Sequence, residues 1–264
     1  MTITIRGLVL REVNYGENAK ILTVLTAERG KISVFCHGAR SVKSRHLVYT
    51  QLLCYAEYVL YQKGDSYTLR EGALIESFFA IGSDIKAIAL SQYFCVVALE
   101  VCSEESDESE MIRLMLNTLH VLAQHSKDLS LVKATFELTC ACICGFTPDL
   151  SQCASCGATD LAAALFYLMV YDGCIICGKC CAKQADLPVS SLSEPYAHLS
   201  QSLQLSPAIL TAMRYVVSAP IKRTYSFTLG QDQCTELGNI CEKYLLTHLD
   251  RQSFVALDFY NGIL

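Results

Sequence analysis

Cys153-Ala-Ser-Cys156 and, after twenty further residues, Cys177-Gly-Lys-Cys180 decide how this chain is read. Two CxxC pairs at that spacing are the pattern of a tetrahedral metal site, each pair a tight knuckle aiming two sulfurs at one point. Zn²⁺ has no geometric preference of its own, so four thiolates close around it readily. With no His among the four, the site reads as structural, with no open catalytic position. Gly157 follows the first knuckle and Gly178 lies inside the second. Turns there need positive φ or a close backbone approach, which glycine allows. The register has alternatives. Cys174 and Cys177 also form a CxxC, and Cys181 can stand in for Cys180. Cys177 with Cys180 is preferred because Gly173 then precedes the pair as a turn. The expected ligands of one structural Zn²⁺ are therefore Cys153, Cys156, Cys177 and Cys180. The competing reading is a cluster of free or redox-active thiols.

Outward from the cysteines, the period is helical on both sides. Asp84 to Ser103, Met111 to His125 and Leu129 to Cys144 repeat apolar residues at helical spacing. Ser83 is read as the cap of the first. Gly145 and Pro148 end the third, and Glu104 to Glu110 is read as an acidic, solvated linker or helix start. Beyond the cysteines, Ser206-Pro207 is an N-cap and N1 pair that opens a helix to about Ser218. Asp232 to Leu249 is a final amphipathic helix. The N-terminal part has period two instead. Strands are expected over residues 2–11, 20–26, 31–36, a long or bent 47–62, and 66–76, with a basic loop from His37 to His46. Five strands with no helix-period segment among them predict a small closed barrel. The expected architecture is α+β and multidomain. A five-stranded β-barrel fills residues 1–80, helical segments cover 81–148 and 189–264, and the four-cysteine segment lies between them at 149–188.

Charge is distributed unevenly. The whole chain carries −5, which excludes a protein that is basic throughout. Residues 1–82 hold ten Lys/Arg against seven Asp/Glu, and the remainder eleven against nineteen, so +3 faces −8. From Arg29 to Ala56 there is no acidic residue, only Arg29, Lys31, Arg40, Lys43 and Arg45 with His37 and His46. A basic surface on an acidic protein is the electrostatic footprint of a polyanion partner. Lys31, Arg40, Lys43 and Arg45 are the phosphate-contact candidates, against the bland reading of a solvated loop. Tyr15, Phe35, Tyr49 and Tyr67 could stack on unpaired bases, but strand aromatics are usually core and are read so here. Met1 leads directly into a strand pattern, so no signal peptide is expected. The most apolar run, Ala87 to Cys102, is too short for a membrane span and carries Gln92 and Glu100. Fifteen cysteines, nine of them between Cys140 and Cys181, are an odd and local set that favours a reducing cytosol.

No GxxxxGK[ST], GxGxxG or Gly-x-Ser-x-Gly pattern is present, so neither ATP hydrolysis nor acyl transfer is expected. Three stretches then carry a likeness. Tyr15-Gly16-Glu17-Asn18, Leu25-Thr26-Ala27-Glu28-Arg29-Gly30-Lys31 and the run from His37-Gly38-Ala39-Arg40 to Lys43-Ser44-Arg45 resemble the N-terminal domain of the RecO family of bacterial recombination mediators. Leu138 to Gly145, Pro148-Asp149-Leu150 and the CxxC pairs sit where that family has them. The likeness covers nearly the whole chain. It implies that the barrel is an OB-fold, that 81–148 and 189–264 form one helical domain with a four-cysteine zinc ribbon inserted at 149–188, and that the protein is not an enzyme. It implies binding to single- and double-stranded DNA through Lys31, His37, Arg40, Lys43 and Arg45, and annealing of complementary strands. It also implies that, with RecR, the protein helps RecA displace single-strand-binding protein in the RecF pathway. The implied setting is the bacterial cytoplasm, associated with the nucleoid and not with a membrane.

Two features depart from the family. His37 stands where it usually has Lys, and a neutral His attracts phosphate less. The extra cysteines Cys140, Cys142, Cys144, Cys174 and Cys181 are unusual for it. The acidic tail of single-strand-binding protein would need an apolar groove rimmed by cations. Arg113, Lys127, Lys133, Arg214, Lys222 and Arg223 are the candidates on the helical part. The alternative function is a zinc-ribbon protein that binds RNA or regulates transcription. A thiol oxidoreductase is a third class, disfavoured by four cysteines at ribbon spacing.

Overall fold

Along the first 76 residues apolar side chains alternate with polar ones, and a strand sends successive side chains to opposite faces. Five strands result: β1 (Thr2–Tyr15), β2 (Ala19–Thr26), β3 (Gly30–Cys36), β4 (Tyr55–Lys63) and β5 (Ser66–Glu76). The computed structural model describes residues 1–41, 43–159, 165–185 and 201–263. The strands close into a barrel in the order β1-β2-β3-β5-β4, with the β3–β5 seam held by two residue pairs. All neighbours are antiparallel except the closing pair, where Val34 and Phe35 of β3 face Tyr67 and Thr68 of β5 in parallel. Inward-facing Val9, Leu22, Val24, Ile32, Val34, Tyr58 and Leu60 fill the interior. Each large aliphatic buried there contributes about 1.5–3 kcal/mol. A bulge between Val9 and Arg11 bends β1, which runs on to Tyr15, four residues past the expected end.

The expected single strand over 47–62 is corrected. Leu47–Tyr49 is a short 3-10 turn, and the ladder starts again only at Tyr55. Tyr49 turns inward and is buried, with its ring against Gly72, where any Cβ would lie 2.7 Å from the ring. Tyr58 donates its hydroxyl hydrogen to the Tyr49 carbonyl at 2.8 Å. Leu53 takes a φ of 65° so that it and Cys54 clip onto Val9. The segment thus packs against the barrel core instead of extending its wall.

Two compact units divide the chain, Met1–His125 with Phe254–Leu264, and Ser126–Ser253. In the first, the barrel is joined by α1 (Ile85–Val101), α2 (Ser109–Ala123) and α7 (Val255–Gly262). The cap of α1 is Asp84, whose carboxylate accepts from the Lys86 N–H, not Ser83. Glu104 to Glu110 is no free linker: its last residues open α2, as the helix-start reading expected. It is tied to the β2–β3 turn by Lys31 N–H to the Ser103 carbonyl (2.9 Å) and Glu105 N–H to the Arg29 carbonyl (3.1 Å). That approach requires Gly30, which has a φ of 57° and no Cβ to overlap the Ser103 carbonyl.

In the second unit α3 (Leu129–Ile143) is buried on most of its surface and packs along α6 (Gln231–His248). Asp128 caps α3, accepting from the Ser130 and Leu131 N–H groups. Ser206 caps α5 (Pro207–Ser218), accepting from the Ile209 N–H, with Pro207 at the first helical position as expected. Between α3 and α6 in sequence, β6 (Asp149–Cys153), β7 (Phe166–Met169), β8 (Cys174–Cys177) and β9 (Leu203–Leu205) form a sheet in the order β6-β8-β7-β9. One helix, α4 (Gly178–Ala185), follows β8 directly. The rest of the span expected as ribbon, 160–164 and 186–188, lies outside the described residues. No described helix is long and apolar enough to cross a membrane.

Candidate metal centre and nucleic-acid interface

Parallel pairing brings distant cysteines together, because β6 and β8 then end side by side. Cys153 closes β6, Cys177 closes β8, Cys156 sits on the turn after β6 and Cys180 on the first turn of α4. Their four Sγ atoms lie within 4.8 Å of one another. Cys156 and Cys177 are 3.7 Å apart at sulfur. A tetrahedron with metal–sulfur bonds of about 2.3 Å has edges of about 3.8 Å, so the donor set fits Zn²⁺. The backbone supports it. Cys177 N–H donates to Cys153 Sγ at 3.2 Å, and Gly157, at a φ of 70°, returns its N–H to the Cys153 carbonyl at 2.9 Å. At Cys153, burial raises the thiol pKa, but N–H groups of Cys177, Cys156 and Ser155 outweigh it and bring it to about 7. At Cys180, a Ser155 hydrogen bond lowers the pKa. Burial, the Cys156 and Cys177 thiols and the Cys153 charge carry it to about 12. One thiolate thus opposes the next unless a cation neutralises them together. Among the described residues no other group of three or more His, Cys, Asp or Glu converges this way.

The register alternatives lie outside this cluster. Gly173 makes the turn, at a φ of 62°, so Cys174 begins β8 opposite Met169. Its thiol is raised to about 11 by burial and by Asp172, Asp149 and Cys153. Cys140 is fully buried in α3 and packs as a small hydrophobe.

The basic candidates separate into two groups. Lys31 points away from the loop. Its Nζ donates to the Leu99 carbonyl at 2.6 Å, in the last turn of α1, where a cation meets the negative end of the helix. Glu28, Asp65, Glu104 and Glu105 line the same cleft. His37, Arg40, Lys43 and Arg45 lie together on the loop after β3 and are all exposed. Arg40 ties that loop to the β1–β2 turn, through its N–H to the Asn18 carbonyl (3.2 Å) and Nη1 to the Gly16 carbonyl (2.7 Å). Arg45 lies 3.9 Å from Glu71, and both are exposed, so the pair contributes little. Of the aromatic residues read as core, Tyr49 and Tyr67 are buried. Tyr15 is exposed and Phe35 half-exposed on the barrel's outer face. Sequence reasoning missed these two. The signal available was the alternation of β3, which puts Phe35 on the same side as Lys31 and Ser33.

Of the cations proposed for a partner groove, Lys133 is excluded. It is buried, its Nζ 2.9 Å from Glu137 and 2.6 Å from Glu242. Lys127 donates to the Phe227 carbonyl, and Arg214 to those of Leu150 and Ser151. Lys222 and Arg223 stay exposed on a short 3-10 turn after Pro220.

Known proteins share this sequence pattern along nearly its whole length. Residues 1–78 match the family described as recombination protein O N terminal, and residues 82–257 match recombination protein O C terminal. DNA repair protein RecO of Acetivibrio thermocellus is 29% identical over 96% of this chain and 94% of its own. That of Alkaliphilus metalliredigens is 25% identical with all of both chains covered. That of Caldicellulosiruptor bescii is 33% identical over 67% of this chain and 72% of its own. With a closed five-stranded barrel, a helical part and a four-cysteine cluster matched from end to end, the chain belongs to the RecO family of DNA repair proteins.

Proposed function

We propose that this protein is a non-enzymatic recombination mediator of the bacterial cytoplasm. It binds single- and double-stranded DNA at the barrel of residues 1–80, anneals complementary strands and, with RecR, helps RecA replace single-strand-binding protein. The observation that carries this reading is the acid-free stretch from Arg29 to Ala56. Its His37, Arg40, Lys43 and Arg45 stand exposed on one loop of a protein that is otherwise acidic. Such a loop meets phosphates without reading sequence, which suits a mediator that acts anywhere on DNA. Lys31 adds to the local field but has its ammonium committed to Leu99. The ribbon of residues 149–188 holds one structural Zn²⁺ on Cys153, Cys156, Cys177 and Cys180, and the metal supplies a cross-link between β6, β8 and α4.

The acidic helical part serves protein partners. In the second unit a groove of about 490 Å³ is lined by Pro207, Ala212, Tyr215, Phe227 and Leu229. Tyr215 donates to the Arg223 carbonyl, so the exposed Lys222-Arg223 pair adjoins it. Apolar walls beside paired cations suit the acidic, hydrophobic-ended tail of single-strand-binding protein.

The test is salt dependence. Binding of wild type, Lys43→Ala and Arg40→Ala/Lys43→Ala to oligonucleotides of unrelated sequence should weaken equally across sequences. The slope of log K against log salt should fall by about one per removed contact. Because Arg40 also anchors its loop, Lys43→Ala isolates the phosphate contact. Unchanged affinity and slope in the double variant would retire the basic loop as the interface.

A further inference from the structure

Three rings stand in a row on the outer face of the barrel, where the β1–β2 turn meets the start of the basic loop. Tyr15, the last residue of β1, meets Phe35 of β3 edge to face, with centroids 5.4 Å apart and planes at 78°. Phe35 meets His37 in the same way, at 4.5 Å and 74°. Tyr15 nevertheless leaves 57% of its surface in water. The barrel does not need these rings for its core, which Ile32, Val34 and Cys36 fill from the opposite face of β3. Their neighbours hold them in place, so stacking a further ring on them orders little that is not already ordered. The turn that carries Tyr15 is also the one Arg40 grips, through Gly16 and Asn18. A guanidinium therefore lies beside the rings, with one N–H group given to Gly16 and others available among the described residues.

Rings with accessible π surface beside a cation are the combination that single-stranded nucleic acid recognises, because every unpaired base has a π face and every linkage a phosphate. A duplex keeps its bases stacked on each other and offers only the phosphates. We infer that Tyr15 and Phe35 form a stacking subsite for an unpaired nucleobase, with His37 and Arg40 flanking the adjacent phosphate. The inference rests on the DNA-binding reading proposed above. It adds to it a physical basis for preferring single strands over duplex, separate from the charge of the loop.

The test compares full-length wild type and Tyr15→Leu, which keeps apolar bulk and removes the π face. Fluorescence anisotropy is read on labelled oligo-dT, an abasic oligomer of equal length and a duplex of equal length. The ratio of single-strand to duplex affinity should fall about tenfold in the variant. The abasic oligomer should bind wild type and variant alike. A ratio that does not change, with wild type binding both forms, overturns the stacking subsite and leaves the basic loop standing. Equal weakening on oligo-dT and duplex overturns it too, by making Tyr15 only a support of the hairpin. A wild type that binds neither form overturns the DNA-binding reading and the subsite together.

Discussion

Cys156→Ser should unfold the module built on β6 to β9 while leaving the barrel intact. Cys156 is the exposed member of the four-sulfur cluster, so its replacement removes almost no core volume. The lost stability is then that of the metal site. Structural Zn²⁺ contributes about 10–16 kcal/mol of apparent binding free energy in small zinc modules, far more than a four-stranded sheet of three- to five-residue strands gathers alone. Limited proteolysis should cut the variant early within residues 149–185, zinc analysis should find less than one equivalent, and DNA affinity should stay within about twofold. A chelator should reproduce this on wild type, and so should acid, since each sulfur must lose its proton to bind metal. A variant that keeps its protease resistance and its zinc would contradict the cross-linking role. A variant that folds but no longer binds DNA would make the ribbon a contact surface instead.

The next largest effect is expected at Lys133. Its ammonium lies between Glu137 and Glu242, and Lys133 and Glu137 are 4% and 0% exposed. Lys133→Met removes the ammonium that the fully buried Glu137 and the partly exposed Glu242 share. Breaking a buried pair from one side costs about 3–5 kcal/mol, a large share of the 5–15 kcal/mol typical of a domain. Replacing all three by apolar residues of similar volume should cost much less, because no charge is then stranded. The pH dependence has a definite sign. Burial alone lowers the lysine pKa, but the charges and hydrogen bonds of Glu137 and Glu242 outweigh it and raise the net value above 10.5. Stability from this source is therefore complete at neutral pH and is lost as pH rises through the raised pKa. Chemical denaturation between neutral and strongly alkaline pH should show that loss in wild type and not in Lys133→Met. A Met variant within about 1 kcal/mol of wild type at neutral pH would refute the account of the triad.

What could be read from the sequence was what is local. A CxxC knuckle, a Ser-Pro helix start and an alternating strand each carry their signal within a few residues, and all of them fold accordingly. What could not be read depends on partners far along the chain. Residues 47–54 look like strand until Tyr49 is seen to need the space over Gly72. Glu104 to Glu110 reads as a linker or helix start, and its end does open α2, but the hold on its beginning appears only when Gly30 lets the β2–β3 turn approach it. Lys31 and Lys133 read as surface cations, and their true neighbours, Leu99 and Glu242, lie 68 and 109 residues away. Three elements, β9, α4 and α7, are too short, at three to eight residues, for a period to show. At the candidate interface the charges were legible as a run without acids. The exposure of Tyr15 was not, since it follows from the extra length of β1 beyond its bulge.

The central claim, that the barrel and its basic loop handle DNA strands for annealing, is tested most directly by one kinetic measurement. Complementary oligonucleotides coated with single-strand-binding protein are mixed without nucleotide triphosphate, and duplex formation is followed with wild type and with Arg40→Ala/Lys43→Ala. The account predicts that wild type accelerates duplex formation well above the protein-free rate and that the double variant loses most of that acceleration while remaining folded. Wild type that leaves the rate unchanged, or a double variant as fast as wild type, would contradict it.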